Sequence, residues 1–243
     1  MTATLDDAHR DDLLLTVIMP VYNERRTLEE IVAAVLAEPT RKELIVVDDG
    51  STDDNRDALA RIAKQTGVTV MLHKQNRGKG AAIRTGIEAA NGDLILIQDA
   101  DLEYDPADYR ALVQPILDGR ADVVYGSRYL IDDRDPARPR DRFVHYLGNR
   151  LLTFVSNLAT GLNLTDMETC YKCFRREAIA PIHIRSRRFT VEPELTAKIA
   201  RSPARIFEVP IRYRGRAFAD GKKIGWRDAL AALFAIARYR FAD

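Results

Sequence analysis

The chain is predicted to be an α/β protein, a doubly wound, mostly parallel sheet with helical elements added on its C-terminal side. Three observations carry this. Strand, acid, turn and helix patterns follow one another repeatedly through the first half. The apolar runs are continuous rather than alternating, as in strands covered on both faces. The alternation then stops after Arg128. Parallel strands joined by right-handed helical crossovers produce this order.

Residues 1–12 are polar and acidic and read as a disordered tail, with one domain expected over 13–243. LLLTVIMP (Leu13 to Pro20) is a buried strand that Pro20 is expected to stop, and Asn23 is placed to cap a helix from about Glu24 to Glu38. ELIVVDD (Glu43 to Asp49) is a second strand, and the Gly50-Ser51-Thr52 turn leads into a helix over Asp53 to Gln65. VTVMLH (Val68 to His73) is the third strand, and Lys79 to Ala90 a helix with alanines on its packed face. Leu94 to Ile97 is the fourth strand, Pro106 to Leu117 a helix and Ala121 to Ser127 the fifth strand. The second half begins with a charged, proline-bearing loop over Asp132 to Arg142, long enough to be a flap. An amphipathic helix (Arg142 to Ala159), the stretch TDMETCYKCFRR, a helix (Thr190 to Ala200), a strand (Arg205 to Tyr213) and a last helix (Gly225 to Tyr239) follow.

At 243 residues the chain can bury a large core, and its net charge of +1 argues neither for nor against nucleic acid. The charge is unevenly placed. Acids gather before residue 110 and bases after it, as an anionic partner on the second half requires, although a solvated basic face has the same composition. Cys170 and Cys173 are the only cysteines, half a zinc site at best, and an extended TCYKCF puts their sulfurs on opposite faces, so both are expected to be structural. The start of the chain does not resemble a signal peptide, which makes the cytoplasm the expected location. The longest apolar stretch, Ala229 to Ala237, is far short of the roughly 20 residues of a membrane span.

Chemistry is concentrated in GDLILIQDADLEYDP, Gly92 to Pro106. The run Leu94 to Ile97 ends in Asp99, Ala100 and Asp101, so two carboxylates leave the carboxyl end of a strand, where open α/β sheets bind ligands. Alternation along an extended chain turns both the same way. Hard oxygen ligands at this spacing suit Mg²⁺ or Mn²⁺, which complete their shell with waters and substrate phosphates. A solvated acidic turn has the same letters, so the surrounding motifs must decide. There is no P-loop, and Gly78-Lys79-Gly80 lacks the third glycine of a dinucleotide fingerprint because Ile83 stands there. What remains is a site where strand-end carboxylates such as Asp48 and Asp49 grip base or ribose while a metal at Asp99 and Asp101 grips a diphosphate.

VIMPVYNE, VVDDGS, NRGKGAAIRTGIEAANGDLILIQDADLEYDP, VVYGSRY and GKKIGWRDAL together resemble the family 2 glycosyltransferases of GT-A fold, nearest to dolichol-phosphate mannose synthases and related polyprenyl-phosphate glycosyltransferases. The resemblance runs from about Leu14 to the C-terminus. It implies a nucleotide-sugar-binding half over 13–128 and an acceptor-binding half over 129–243. The implied reaction is inverting transfer of a hexose, mannose or glucose, from a nucleoside-diphosphate sugar such as GDP-mannose or UDP-glucose. Matched motif by motif, Pro20, Tyr22, Glu24, Asp48, Asp49, Lys79, Arg84, Asp99 and Ala100 would surround the donor, Asp99 and Asp101 the metal, and Arg128 a phosphate. The family's usual D-A-D-L-Q is D-A-D-L-E here, which offers Glu103 as a further metal ligand. Many relatives carry transmembrane helices after the catalytic domain, whereas this sequence ends at Asp243.

An alcohol acceptor needs a general base; a phosphate acceptor is already an anion and needs positive charge. Asp166 is the candidate base, with Glu168, Glu192 and Glu194 as rivals, the last two placed as dipole partners at a helix start. Arg128, Arg150, Arg212, Arg214 and Lys222 are the candidate phosphate holders. The apolar faces of Arg142 to Ala159 and of WRDALAALFAIARYRF could meet lipid or lie on a bilayer, or simply cover the sheet. Two readings compete with polyprenyl-phosphate transfer: a transferase using a saccharide or other soluble alcohol, and a nucleotide-sugar-binding subunit without turnover whose partner supplies the membrane anchor.

Overall fold

In the computed structural model, residues 13–130, 143–188, 190–215 and 226–241 are described. The expected tail, the flap and Lys222 lie outside them. One seven-stranded sheet runs through both halves of the chain, in the order β3-β2-β1-β4-β6-β5-β7. Its strands are β1 (Leu15–Val21), β2 (Lys42–Asp48), β3 (Val68–Leu72), β4 (Leu94–Ile97), β5 (Val123–Ser127), β6 (Lys172–Arg175) and β7 (Ile206–Pro210). β1 pairs in parallel with β2 and β4, β2 with β3, and β5 with β7. The helices are α1 (Leu28–Ala37), α2 (Arg56–Ile62), α3 (Lys79–Ala89), α4 (Tyr109–Leu117) behind a 3₁₀ turn (Pro106–Asp108), α5 (Phe143–Thr160), α6 (Arg176–Ile179), α7 (Val191–Ala200) and α8 (Trp226–Phe241).

The antiparallel member is β6, which lies between β4 and β5. It falls in TCYKCF, expected to be extended but not assigned to the sheet; Lys172 interrupts the apolar pattern there. That lysine is nonetheless fully buried, its ammonium donating to the Met167 carbonyl (3.1 Å) and pairing with Glu192. Since β6 runs against both neighbours, it begins at the edge where β4 and β5 end. The whole Asp166–Tyr171 segment is thereby delivered to that edge.

Two local expectations are corrected. Pro20 lies inside β1 rather than stopping it. The Ile18 carbonyl accepts from Gln98 on the β4 side and the Val21 carbonyl from Asp49 on the β2 side. Pro20, in phase with Ile18, therefore turns its missing N–H beyond the last residue of β4, where no ladder bond is lost. Asn23 does not cap α1. It sits at φ 56°, and its side-chain oxygen accepts from Thr52 N (2.8 Å), fastening the loop after β1 to the loop after β2.

Beneath this edge the sheet is dry. Val17, Ile18, Met19, Val46, Val47, Leu96 and Ile97 are all fully buried. α3 packs on β1 and β2 through small residues, and a Cβ at Gly86 would overlap the side chain of Ile18. Close approach of α3 to the sheet thus depends on that glycine. Gly86→Val is expected to lower unfolding free energy by about 2 kcal/mol or more through overpacking, read as a reduced urea midpoint at unchanged m-value.

Candidate active site

Six parallel strand ends, β1, β2, β3, β4, β5 and β7, and the start of β6 define one edge, and the predicted site residues have to be placed relative to it. Asp48 and Asp49 close β2 and are both buried, but their oxygens are turned to the protein's own loops. Asp48 accepts from Ser51 Oγ (2.5 Å) and Asn55 Nδ2 (3.1 Å), shaping the turn after β2. Asp49 accepts from the backbone N–H groups of Arg77 (2.9 Å) and Gly78 (2.6 Å), with His73 Nδ1 2.6 Å away. The carboxylate therefore sets the path of the loop that delivers Lys79. Tyr22 and Glu24 are partly exposed on the loop after β1. In that loop, Thr27 Oγ1 donates to the carbonyl of Ala100 (2.6 Å) and ties it to the Asp99–Asp101 turn.

The two glycines flanking Lys79 have a steric cause. Gly78 is at φ 92°, and a Cβ on it would run into the Arg187 carbonyl; a Cβ on Gly80 would run into that of Ser186. The start of α3 is thus pressed against the 186–188 backbone, where Gly80 N donates to Arg187 O (2.9 Å). Arg84 fastens the same contact by donating to Ile184 O (2.7 Å). Glu194, expected to answer the helix dipole, stands in the first turn of α7 and also accepts from Arg185 N (2.8 Å) and Ser186 N (2.6 Å) and pairs with Lys198 (2.8 Å).

Lys79 Nζ lies 2.8 Å from Asp99 Oδ1, 3.1 Å from Asp99 Oδ2 and 3.3 Å from Glu192 Oε1. Burial works against the ammonium, yet the Asp99 charge, reinforced by Glu192, holds Lys79 well above the ordinary lysine value. Asp99 likewise sits below the usual carboxylate value: burial pushes it up and the Lys79 charge outweighs that. Glu192 also takes Lys172, so Asp99, Lys79, Glu192 and Lys172 form a line of alternating charge from the β4 end across to β6.

The expected metal shell of Asp99, Asp101 and Glu103 is not assembled as a triad. Both Asp99 oxygens face Lys79, Asp101 Oδ1 accepts from Glu103 N (3.2 Å), and Glu103 Oε2 accepts from the Tyr213 hydroxyl (2.8 Å). Among the described residues no three Asp, Glu, His or Cys side chains stand close enough to hold an ion. The turn that separates these acids is tight, with Leu102 at φ 62°, a conformation a branched side chain rarely takes. Partly exposed hard oxygens at Asp99 and Asp101 fit an ion of the Mg²⁺ type, which needs only one or two carboxylates when a substrate diphosphate supplies further oxygens.

On the β5 side Arg128 and Asp166 form a buried pair. Arg128 Nε and a second guanidinium nitrogen donate to the two oxygens of Asp166 (2.7 and 2.8 Å), and Arg128 N adds a third bond (3.1 Å). Asp166 is 0 % exposed. The residue expected to be a base is therefore a carboxylate locked by a guanidinium. Arg128, 8 % exposed, is held between the rings of Tyr129 and Tyr213 with its charge already matched. Of the other expected phosphate-holding cations, Arg212 pairs with Asp108 (2.8 Å) and Asp105 (3.3 Å), and Arg150 is exposed on α5. Arg214 donates its backbone N–H to the carbonyl of Glu103 (2.9 Å).

Glu168 is different. Its Oε1 is buried without a hydrogen-bond partner, as is the hydroxyl of the neighbouring Thr169. Burial, with the charge of Glu192 added, pushes its carboxyl up to about 7. Cys170 and Cys173 are buried free thiols, both pushed up by burial, as structural cysteines should be. Lys172 and Tyr213 went unmarked in the sequence; a lone lysine amid apolar letters near FTVEPEL was the available signal for the first.

The sequence matches the family described as Glycosyl transferase family 2 over residues 16–182. It is 31 % identical to MJ1222 of Methanocaldococcus jannaschii over 86 % of this chain and 84 % of that one. It is also 31 % identical to an undecaprenyl-phosphate 4-deoxy-4-formamido-L-arabinose transferase of Serratia proteamaculans, spanning 62 % of that longer protein. The solved glucosyl-3-phosphoglycerate synthase of Mycobacterium tuberculosis, in complex with Mn²⁺, UDP and phosphoglyceric acid, superimposes with a TM-score of 0.73 at 20 % identity. The overlap covers 98 % of this chain and 82 % of that one.

Glu168 carries a pH signature. A carboxyl raised from its ordinary 4.5 to about 7 on folding contributes stability that is fully present below pH 4.5 and is lost as pH rises towards 7. The stability difference between wild type and Glu168→Gln, measured by urea unfolding, is expected to move against the wild type across that window.

Proposed function

The chain belongs to glycosyl transferase family 2, with the GT-A fold, and on that premise we propose that it transfers a hexose, with inversion, from a nucleoside-diphosphate sugar to a polyprenyl phosphate. One observation carries the choice of acceptor. Asp166, the acid best placed by sequence to serve as a base, is sealed against Arg128, and a phosphate acceptor needs no base because its oxygen is already anionic. The likeness to the undecaprenyl-phosphate transferase points the same way.

On this reading the loop after β1, with Pro20, Tyr22 and Glu24, receives the nucleoside beside Ala100. Asp48 and Asp49 act from below: they fix the turns that present Ser51 and Gly78, and Asp49 aims Lys79 into the site. Arg84 keeps α3 seated while substrate is bound. Lys79 brings positive charge to the β4 end, balanced by Asp99 and Glu192, so that the diphosphate meets a preset field rather than water. Asp101, with Asp99, would hold the Mg²⁺ or Mn²⁺ that stabilises charge on the departing diphosphate. Mn²⁺ bound with UDP in the synthase of the same fold supports that assignment. Arg128, kept in place by Asp166 and two aromatic rings, fixes the opposite wall, and the acceptor would be met at a membrane surface.

A second reading has its own observation. Glu168 offers a buried, unpartnered oxygen on a carboxyl poised near neutrality, the property of a general base for an alcohol acceptor. The two readings separate in one assay. Glu168→Gln is expected to leave transfer to a short prenyl phosphate within about threefold of wild type, whereas a base role would cost about a hundredfold or more with an alcohol. Asp101→Ala is expected to reduce transfer at least about a hundredfold with an unchanged melting temperature; an undiminished initial rate would remove Asp101 from the metal site.

A further inference from the structure

α5 and α8 pack side by side, and each turns an apolar stripe outward. On α5, Leu147, Leu151, Phe154 and Leu158 stand 55–71 % exposed at spacings of four, three and four. On α8, Leu230, Phe234 and Phe241 stand 57–86 % exposed on one face in the same way. The groove between the helices joins the stripes, with Val155, Leu158 and Ala159 on one wall and Leu233, Ile236 and Phe241 on the other. These side chains are surplus to the core: Leu152, Ser156, Ala232, Ala235 and Ile236 already fill the inner faces. So wide a contiguous apolar face on a water-soluble surface marks an interaction site.

The charges beside the stripes choose the occupant. α5 contains no acidic residue and carries Arg150; α8 ends in exposed Arg238 and Arg240, with no acid between Ala229 and Phe241. A second copy docking through the same face would bring the exposed Arg150, Arg238 and Arg240 of one chain to those of the other, and the described exposed residues of that face include no carboxylate to offset them. An anionic lipid surface meets both requirements, apolar depth for the stripes and phosphate for the guanidinium groups. No described helix is long and apolar enough to cross a membrane, so the contact is made in the plane of the interface. The face also leads to the active site. Tyr146, exposed near the start of α5, packs edge-on against Tyr129 (5.3 Å), and Arg128 lies over that same ring (5.5 Å).

We propose that the paired outer faces of α5 and α8 form a peripheral docking surface for an anionic bilayer, set so that the active-site wall at Arg128 opens beside the lipid headgroups. This rests on the reading that the acceptor is membrane-borne and names the surface that would bring the enzyme to it.

The test is co-sedimentation of the full chain with phosphatidylcholine vesicles, with and without phosphatidylglycerol. The vesicles hold neither nucleotide sugar nor prenyl phosphate, so binding is read independently of whether the chain transfers a sugar. Wild type is expected to sediment with the anionic vesicles and to be released as salt is raised. Phe154→Glu combined with Phe234→Glu is expected to reduce partitioning at least about tenfold. Should that pair lower the melting temperature, Arg238→Gln with Arg240→Gln, which removes two exposed charges, is read instead and is expected to abolish the preference for anionic vesicles. Absence of sedimentation, equal binding to neutral vesicles or undiminished binding by the variants would overturn the proposal. A wild-type dimer that Phe154→Glu and Phe234→Glu convert to monomer would overturn it too, assigning the face to a second copy.

Discussion

Lys79 holds this site together. Its ammonium is shared between Asp99, just past the end of β4, and Glu192, in the first turn of α7, so one buried cation joins the first-half strands to an element more than ninety residues later. Burying a lysine between two carboxylates is costly unless the geometry is good, and much of the surrounding structure supplies that geometry. Asp49 fixes the approach of the loop, Gly78 and Gly80 allow the backbone of 186–188 to press against it, and Arg84 and Glu194 pin that backbone from either side. The carboxylates at the end of β2, expected to meet a nucleoside, are in this arrangement the mould that shapes the turn after β2 and the loop that carries Lys79.

A second consequence of the topology is that part of the site arrives from within the sheet. Because β6 runs antiparallel between β4 and β5, the chain entering it passes over the strand ends carrying Asp166, Glu168 and Thr169. Glu208 on β7 holds that passage by accepting from Thr165 N (2.8 Å), and the Tyr104 hydroxyl holds it by accepting from Cys170 N (3.0 Å). Two carboxyls two residues apart thus meet opposite fates. Asp166 faces Arg128 and is spent on an ion pair, while Glu168 is buried with its Oε1 unpartnered and is pushed towards neutrality by that burial, with the charge of Glu192 added. A difference in surroundings, not in residue type, separates a carboxylate locked in an ion pair from a carboxyl held near neutrality.

Legibility followed the range of the forces involved. The first five strands and their helices could be read from local periodicity, as could the close of β4 in two acids and the structural cysteines. β6 could not, because Lys172 breaks an apolar pattern that only a partner from another element, Glu192, makes tolerable in the interior. The same holds for Arg212, a plausible phosphate ligand by sign and position that is taken by Asp105 and Asp108 of the segment after β4, more than a hundred residues earlier.

By itself the sequence determined the class of fold, the edge on which the chemistry gathers and the membership of a transferase family, since these follow from short-range alternation and from motifs whose order survives without coordinates. Only the tertiary structure decided which carboxylates are available there. An acid's role depends on whether a cation reaches it, and such cations come from residues remote in the chain, brought near by sheet order and helix packing.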